Sequence, residues 1–153
     1  MPQSARSLLT DEQFRSVCST VTDANPGMAE DMAGRIVEEG IKFVVACARF
    51  PGVPIAPSRI VDEGWHALIL HTHTYAELCA RYGVFVHHFP GYDAGNFAAE
   101  GLDRTRALIG EAGYSADPEL WSSPDSELVS VAAKCQHSPS CGPIRPMPKP
   151  EWP

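Results

Sequence analysis

The chain has 153 residues, 44% of them hydrophobic and 20% charged, which fits one folded domain with an ordinary core. A net charge of −7 argues against nucleic acid and anionic membrane surfaces as partners. No apolar run reaches the roughly 18 residues of a membrane span, and Met1-Pro2-Gln3-Ser4 lacks the start of a secretory signal, so the expected compartment is the cytosol.

Thr10-Asp11-Glu12-Gln13 has the pattern of a reciprocal capping box, in which the Thr and Gln side chains satisfy free backbone N–H groups. Phe14, Val17, Cys18 and Val21 follow it at helical spacing. Asn25-Pro26 reads as a second helix start, with Asn as cap and Pro at the first helical position. Met28, Met32, Ile36, Val37, Ile41, Val44, Val45 and Ala48 form its apolar stripe, and Pro51-Gly52 ends it. Glu38-Glu39 reads as its solvated face. Val53-Pro54-Ile55-Ala56-Pro57 is an extended linker, because each proline disfavours helix at the preceding residue. Ser58 then caps a third helix of roughly 24 residues, ending near Tyr82-Gly83. Val84-Phe85-Val86 is a short extended piece that leads to His87-His88. A fourth helix is expected from Gly95 to Gly113, with Phe97, Leu102, Leu108 and Ile109 inward. A turn around Pro118-Leu120-Trp121 and a helix at Asp125–Lys134 complete the body.

Six of the 14 prolines lie between Pro139 and Pro153, a composition that stays extended and builds no core. The expected organisation is therefore mainly α: one domain of about four main helices over residues 1–134, with a short extended segment, and an extended Pro-rich tail over 135–153. Five cysteines, an odd number, do not suggest a disulfide framework. Cys18 and Cys47 read as buried small hydrophobes.

Five of the six histidines fall within Asp62–His88. Imidazole is the commonest metal-binding side chain, so this concentration points to a ligand. On a helical wheel Asp62, His66, Ile69 and His73 share one stripe, Trp65, Thr72 and Cys79 lie on the adjoining flank, and His71 points away. A carboxylate and an imidazole at i, i+4 can converge on one ion, or the carboxylate can orient the ring. A chain reversal at Gly83 would carry His87 or His88 back toward His66. Adjacent residues of an extended segment face opposite ways, so only one of that pair is expected as a ligand. Two or three imidazoles with a carboxylate suit Zn(II), Fe(II), Cu(II) or Ni(II). The spacing matches no zinc finger and no His-Glu-x-x-His helix. Cys135, His137 and Cys141 form a second, irregular trio; its simplest reading is a tail with free thiols. There is no phosphate loop, dinucleotide fingerprint or nucleophile elbow.

Pro57-Ser58, Val61-Asp62-Glu63, Trp65-His66, Ile69-Leu70, Thr72, Tyr75, Cys79, Gly83, Phe85, His87-His88 and Pro90 together resemble the core of the glycine-rich-domain-containing-protein-like family, whose members are bacterial and plant proteins of largely unknown function. The resemblance extends from about Met28 to Trp121. It implies a helical domain in which Asp62, His66, Thr72, Tyr75, Cys79, His87 and His88 form the characteristic polar set, and it implies no activity. Gly64 departs from the pattern, standing where a bulky apolar residue is expected; His71 and His73 also depart.

Two functional classes follow. In the first, the protein binds a transition metal (Zn, Fe or Cu) through Asp62, His66 and His87 or His88. An open coordination position beside Tyr75 and Cys79 would then suit oxidative or hydrolytic chemistry on a small molecule or peptide. In the second, it is a non-catalytic interaction module whose polar set is a buried hydrogen-bond network and whose Pro143-x-x-Pro146 segment docks on a partner.

Overall fold

The computed structural model describes residues 3–88 and 99–121. The expected helix at Asp125–Lys134, the Cys135/His137/Cys141 trio, the Pro-rich tail and Phe97 lie outside these residues. The described chain is mainly helical, as its periodicity predicts. A 3-10 turn (Ala5–Leu8) precedes α1 (Asp11–Ala24), α2 (Glu30–Arg49), α3 (Arg59–Leu70), α4 (Thr72–Ala80), α5 (Ala99–Glu111) and the single turn α6 (Pro118–Trp121).

The capping box at the start of α1 is formed: Gln13 N–H donates to Thr10 Oγ1 at 3.1 Å and Thr10 N–H to Gln13 Oε1 at 3.0 Å. The helix buries Phe14, Val17 and Val21, one stripe of its surface. Cys18, beside them, is half-buried, and so is Cys47 on α2, rather than fully enclosed. Asn25 does not open the second helix. It caps the C-terminal end of α1, and its buried amide donates to the Val21 carbonyl and to Glu63 Oε1, at 2.8 and 3.0 Å. Gly27, at φ 90, turns the chain, and α2 starts at Glu30 with no side-chain cap. The tertiary bond to Glu63 outweighs the local capping preference.

Helix α2 is the axis of the fold. Every side chain from Glu39 to Ala46 is buried, because α1, α3 and α5 all pack on it. Its approach to α3 is close enough that two glycines face each other. A Cβ on Gly64 would run into the Ile36 carbonyl oxygen, and one on Gly40 would lie 3.0 Å from the Gly64 carbonyl carbon and the Trp65 nitrogen. Gly64, where the resemblance led to the expectation of a bulky apolar residue, is thus demanded by packing.

Glu39 is a correction to the sequence reading. It is fully buried and forms the centre of a polar network. Its Oε1 accepts from Lys42 Nζ and from the Asp117 N–H, both at 2.8 Å, and its Oε2 accepts from the Trp121 indole at 3.0 Å. Lys42 Nζ also donates to the Ser115 carbonyl at 2.7 Å. Nearby, the Arg35 guanidinium bridges Asp117 and Glu119. These bonds attach residues 115–121 to α2. Ser58 adds another link: it caps α3 through the Val61 N–H and donates to the Leu120 carbonyl at 2.7 Å. The linker before it is extended as expected, held by Arg104 and Thr105 of α5 on the Pro54 and Ala56 carbonyls.

The expected third helix is two helices. It breaks at His71 (φ −88, ψ 72), whose ring nitrogen meets Thr20 Oγ1 of α1 at 2.7 Å. Neither glycine nor proline stands at the break, so a contact between distant parts of the chain, not a local signal, interrupts the period. Past Gly83, at φ 69, the chain continues in residues 84–88, which form neither helix nor strand and bring His88 back to α3.

Candidate metal centre

Ser58 fixes the start of α3, and the spacing of 62 and 66 then places Asp62 and His66 one turn apart on one side of it. The Asp62 side chain is 1% exposed. The His66 Nδ1 lies 2.8 Å from the Asp62 main-chain carbonyl, and a carbonyl can only accept, so Nδ1 carries a proton and the neutral ring would hold its lone pair on Nε2. The same Nδ1 is 3.4 Å from Asp62 Oδ1. From the returning segment, His88 Nε2 comes to 3.7 Å from that oxygen and hydrogen-bonds to no described residue. The His66 and His88 rings lie 4.5 Å apart, and the His88 ring packs on Trp65 at 4.6 Å. One ligand atom from each of Asp62, His66 and His88 can be chosen so that all three lie within 4.8 Å of one another.

The other candidates fall elsewhere. His87 is exposed and packs its ring on Phe85 at 4.8 Å, so the pair divides as alternation along an extended segment requires. His73 leaves the stripe because of the break at His71; it is 87% exposed and pairs with Glu77 at 3.7 Å. Glu63 is buried on the neighbouring flank, against Asn25. Tyr75 and Cys79 are buried on α4. The Tyr75 hydroxyl donates to the Val86 carbonyl and accepts from the Trp65 indole at 3.1 Å. The sequence carries no signal for that arrangement, because it depends on the helix break between residues 65 and 75.

Burial also shapes the titration of the surrounding groups. It pushes the Cys47 thiol from 9.0 up to about 12 and raises the Tyr75 phenol above its ordinary value. Burial and then a hydrogen bond with Tyr114 push Tyr82 up to about 12. In each case the native state holds a proton that the unfolded chain releases at lower pH. The resulting stability is fully present below the unfolded values, near pH 9 to 10, and is lost as pH rises through about 12. We therefore expect these groups to leave the melting temperature independent of pH up to about pH 9 and to lower it above that. We also expect Cys47 to resist alkylation at pH 8 until the protein is unfolded. Rapid native-state labelling of Cys47, identified by peptide mass, would contradict this picture.

Helices enclosing a buried carboxylate with two imidazoles beside it define a small α-helical protein with a candidate three-residue metal site. A profile of the UCP032817-like family, an uncharacterised family, matches residues 5–107. The chain belongs to that family. No curated protein and no solved structure matches it. Among the described residues no helix is long and apolar enough to cross a membrane.

Proposed function

We propose that this protein binds one transition-metal ion through Asp62, His66 and His88. The observation that carries the reading is the convergence of their three ligand atoms within 4.8 Å of one another, around a carboxylate removed from solvent. The distances favour a metal over a plain hydrogen-bond network. Hydrogen bonds to a carboxylate from imidazole would be about 2.7–3.0 Å. Two donors each about 2.1 Å from a tetrahedral ion lie roughly 3.4 Å apart. The separation of His88 Nε2 from Asp62 Oδ1, 3.7 Å, is nearer the second value. The Nδ1 bond of His66 to a main-chain carbonyl is the usual way in which a ligating imidazole is oriented and its Nε2 freed for the ion.

Two imidazoles and one carboxylate leave a coordination position open, a donor set suited to Zn(II), Fe(II) or Cu(II). Chemistry on a small molecule or peptide would take place at that position. Of Tyr75 and Cys79, the titratable groups proposed beside it, Tyr75 is joined to the site through the Trp65 indole. The resemblance of the Asp62–His88 stretch to the glycine-rich-domain-containing-protein-like family is compatible with this reading, since the three residues belong to the shared polar set.

Protein purified without a metal-affinity tag should carry about one equivalent of metal or take it up. A metal that binds only the folded state should stabilise it by about 2.7 kcal/mol at a hundredfold excess over its Kd. Metal below about 0.2 equivalents, with no thermal shift on adding Zn(II), Fe(II) or Cu(II), would sink the proposal. Asp62→Asn should lower affinity about 10- to 100-fold, and Glu63→Gln, whose partner is Asn25, far less. Equal losses would remove Asp62 from the ligand set.

A further inference from the structure

We infer that Tyr75 is a positioning residue that latches residues 84–88 onto α3 so that His88 reaches Asp62 and His66; the inference rests on the metal site proposed above. Residues 84–88 make no backbone ladder with any described residue. Val84, Phe85 and His87 are exposed, and only Val86 and His88 turn inward. Among the described residues, no backbone–backbone bond holds the segment in place. The Tyr75 hydroxyl supplies a directional contact, by donating to the Val86 carbonyl two residues before His88. The Tyr75 ring adds an edge contact with Phe85 at 5.3 Å.

The hydroxyl is itself oriented. The Trp65 indole N–H donates to it at 3.1 Å, which occupies a lone pair and directs its proton toward Val86. Trp65 precedes His66 on α3, and its ring packs on His88. One tryptophan thus links the helix that carries two ligands, the phenol that holds the segment and the imidazole that the segment delivers. Since the Tyr75 phenol both donates and accepts within the scaffold, its effect on the site passes through His88.

The test compares Zn(II) affinity and the Cu(II) electron paramagnetic resonance spectrum of the full chain, Tyr75→Phe, His88→Ala and the double variant. Tyr75→Phe should weaken Zn(II) about 10- to 100-fold, and its Cu(II) spectrum should show one coordinated imidazole nitrogen fewer. In the His88→Ala background the same change should have no further effect on affinity, because the residue it acts through is gone. Unchanged affinity in Tyr75→Phe, or an undiminished loss in the double variant, would overturn the latch while leaving the metal site intact. A wild-type chain that binds neither metal would refute the site and the latch with it. Should Tyr75→Phe fail to unfold cooperatively, Trp65→Phe serves instead. It removes the donor that orients the hydroxyl and part of the ring that packs on His88 and Phe43. It should weaken Zn(II) several-fold in the wild-type background and not in His88→Ala; equal affinity in the wild-type background overturns the inference.

Discussion

Replacing Glu39 by alanine should destabilise the fold by about 3–5 kcal/mol, the cost of removing one partner from a buried ion pair. The loss has three sources on this molecule. Lys42, only 11% exposed at its side chain, would keep a charge without its carboxylate. The Asp117 N–H and the Trp121 indole would lose their acceptor. The segment 115–121 would still hold its bonds to Ser58, Arg35 and Lys42. Lys42→Met should cost less, about 1–3 kcal/mol, because the Glu39 carboxylate retains two N–H donors. Urea denaturation measures both, and hydrogen exchange at the Asp117 amide reports the local release. A Glu39→Ala variant as stable as the wild type would mean that water replaces the whole network at no cost.

The second large effect is expected at Gly64. An added Cβ meets the Ile36 carbonyl oxygen, a backbone atom of the central helix that cannot swing aside as a side chain can. Overpacking typically costs about 1–3 kcal/mol, and a collision with backbone belongs at or above the top of that range. Gly64→Ala should thus lose about 3 kcal/mol and lower the melting temperature by roughly 10 °C. Gly64 lies between Asp62 and His66, so pushing α3 off α2 should also disturb the proposed metal site. The control is Gly110→Ala on α5, where the new methyl meets nothing within 4 Å; it should be neutral or stabilise by up to about 1 kcal/mol. If the two alanine variants melt together, the α2–α3 contact is not as tight as these positions imply.

Local signals decided much of this protein. The capping box at Thr10, the apolar stripe from Ile36 to Ala48, the Ser58 cap, the stop at Pro51-Gly52 and the reversal at Gly83 each act within a turn or two of helix. Their effects are therefore written in consecutive residues. The pairing of Asp62 with His66 is of the same kind, since i, i+4 spacing on a capped helix fixes their relation. Tertiary structure alone decided the rest. Thr20 interrupts a helix at His71, 51 positions away, and so turns His73 out to solvent. Glu63 recruits Asn25 to the end of α1. Glu39 turns inward because its partners arrive 78 and 82 positions later, as Asp117 and Trp121. The division between His87 and His88 depends on how residues 84–88 seat beneath Tyr75. A buried polar group needs its partner wherever the chain supplies one, and a partner many turns away leaves no mark on the local pattern of either residue.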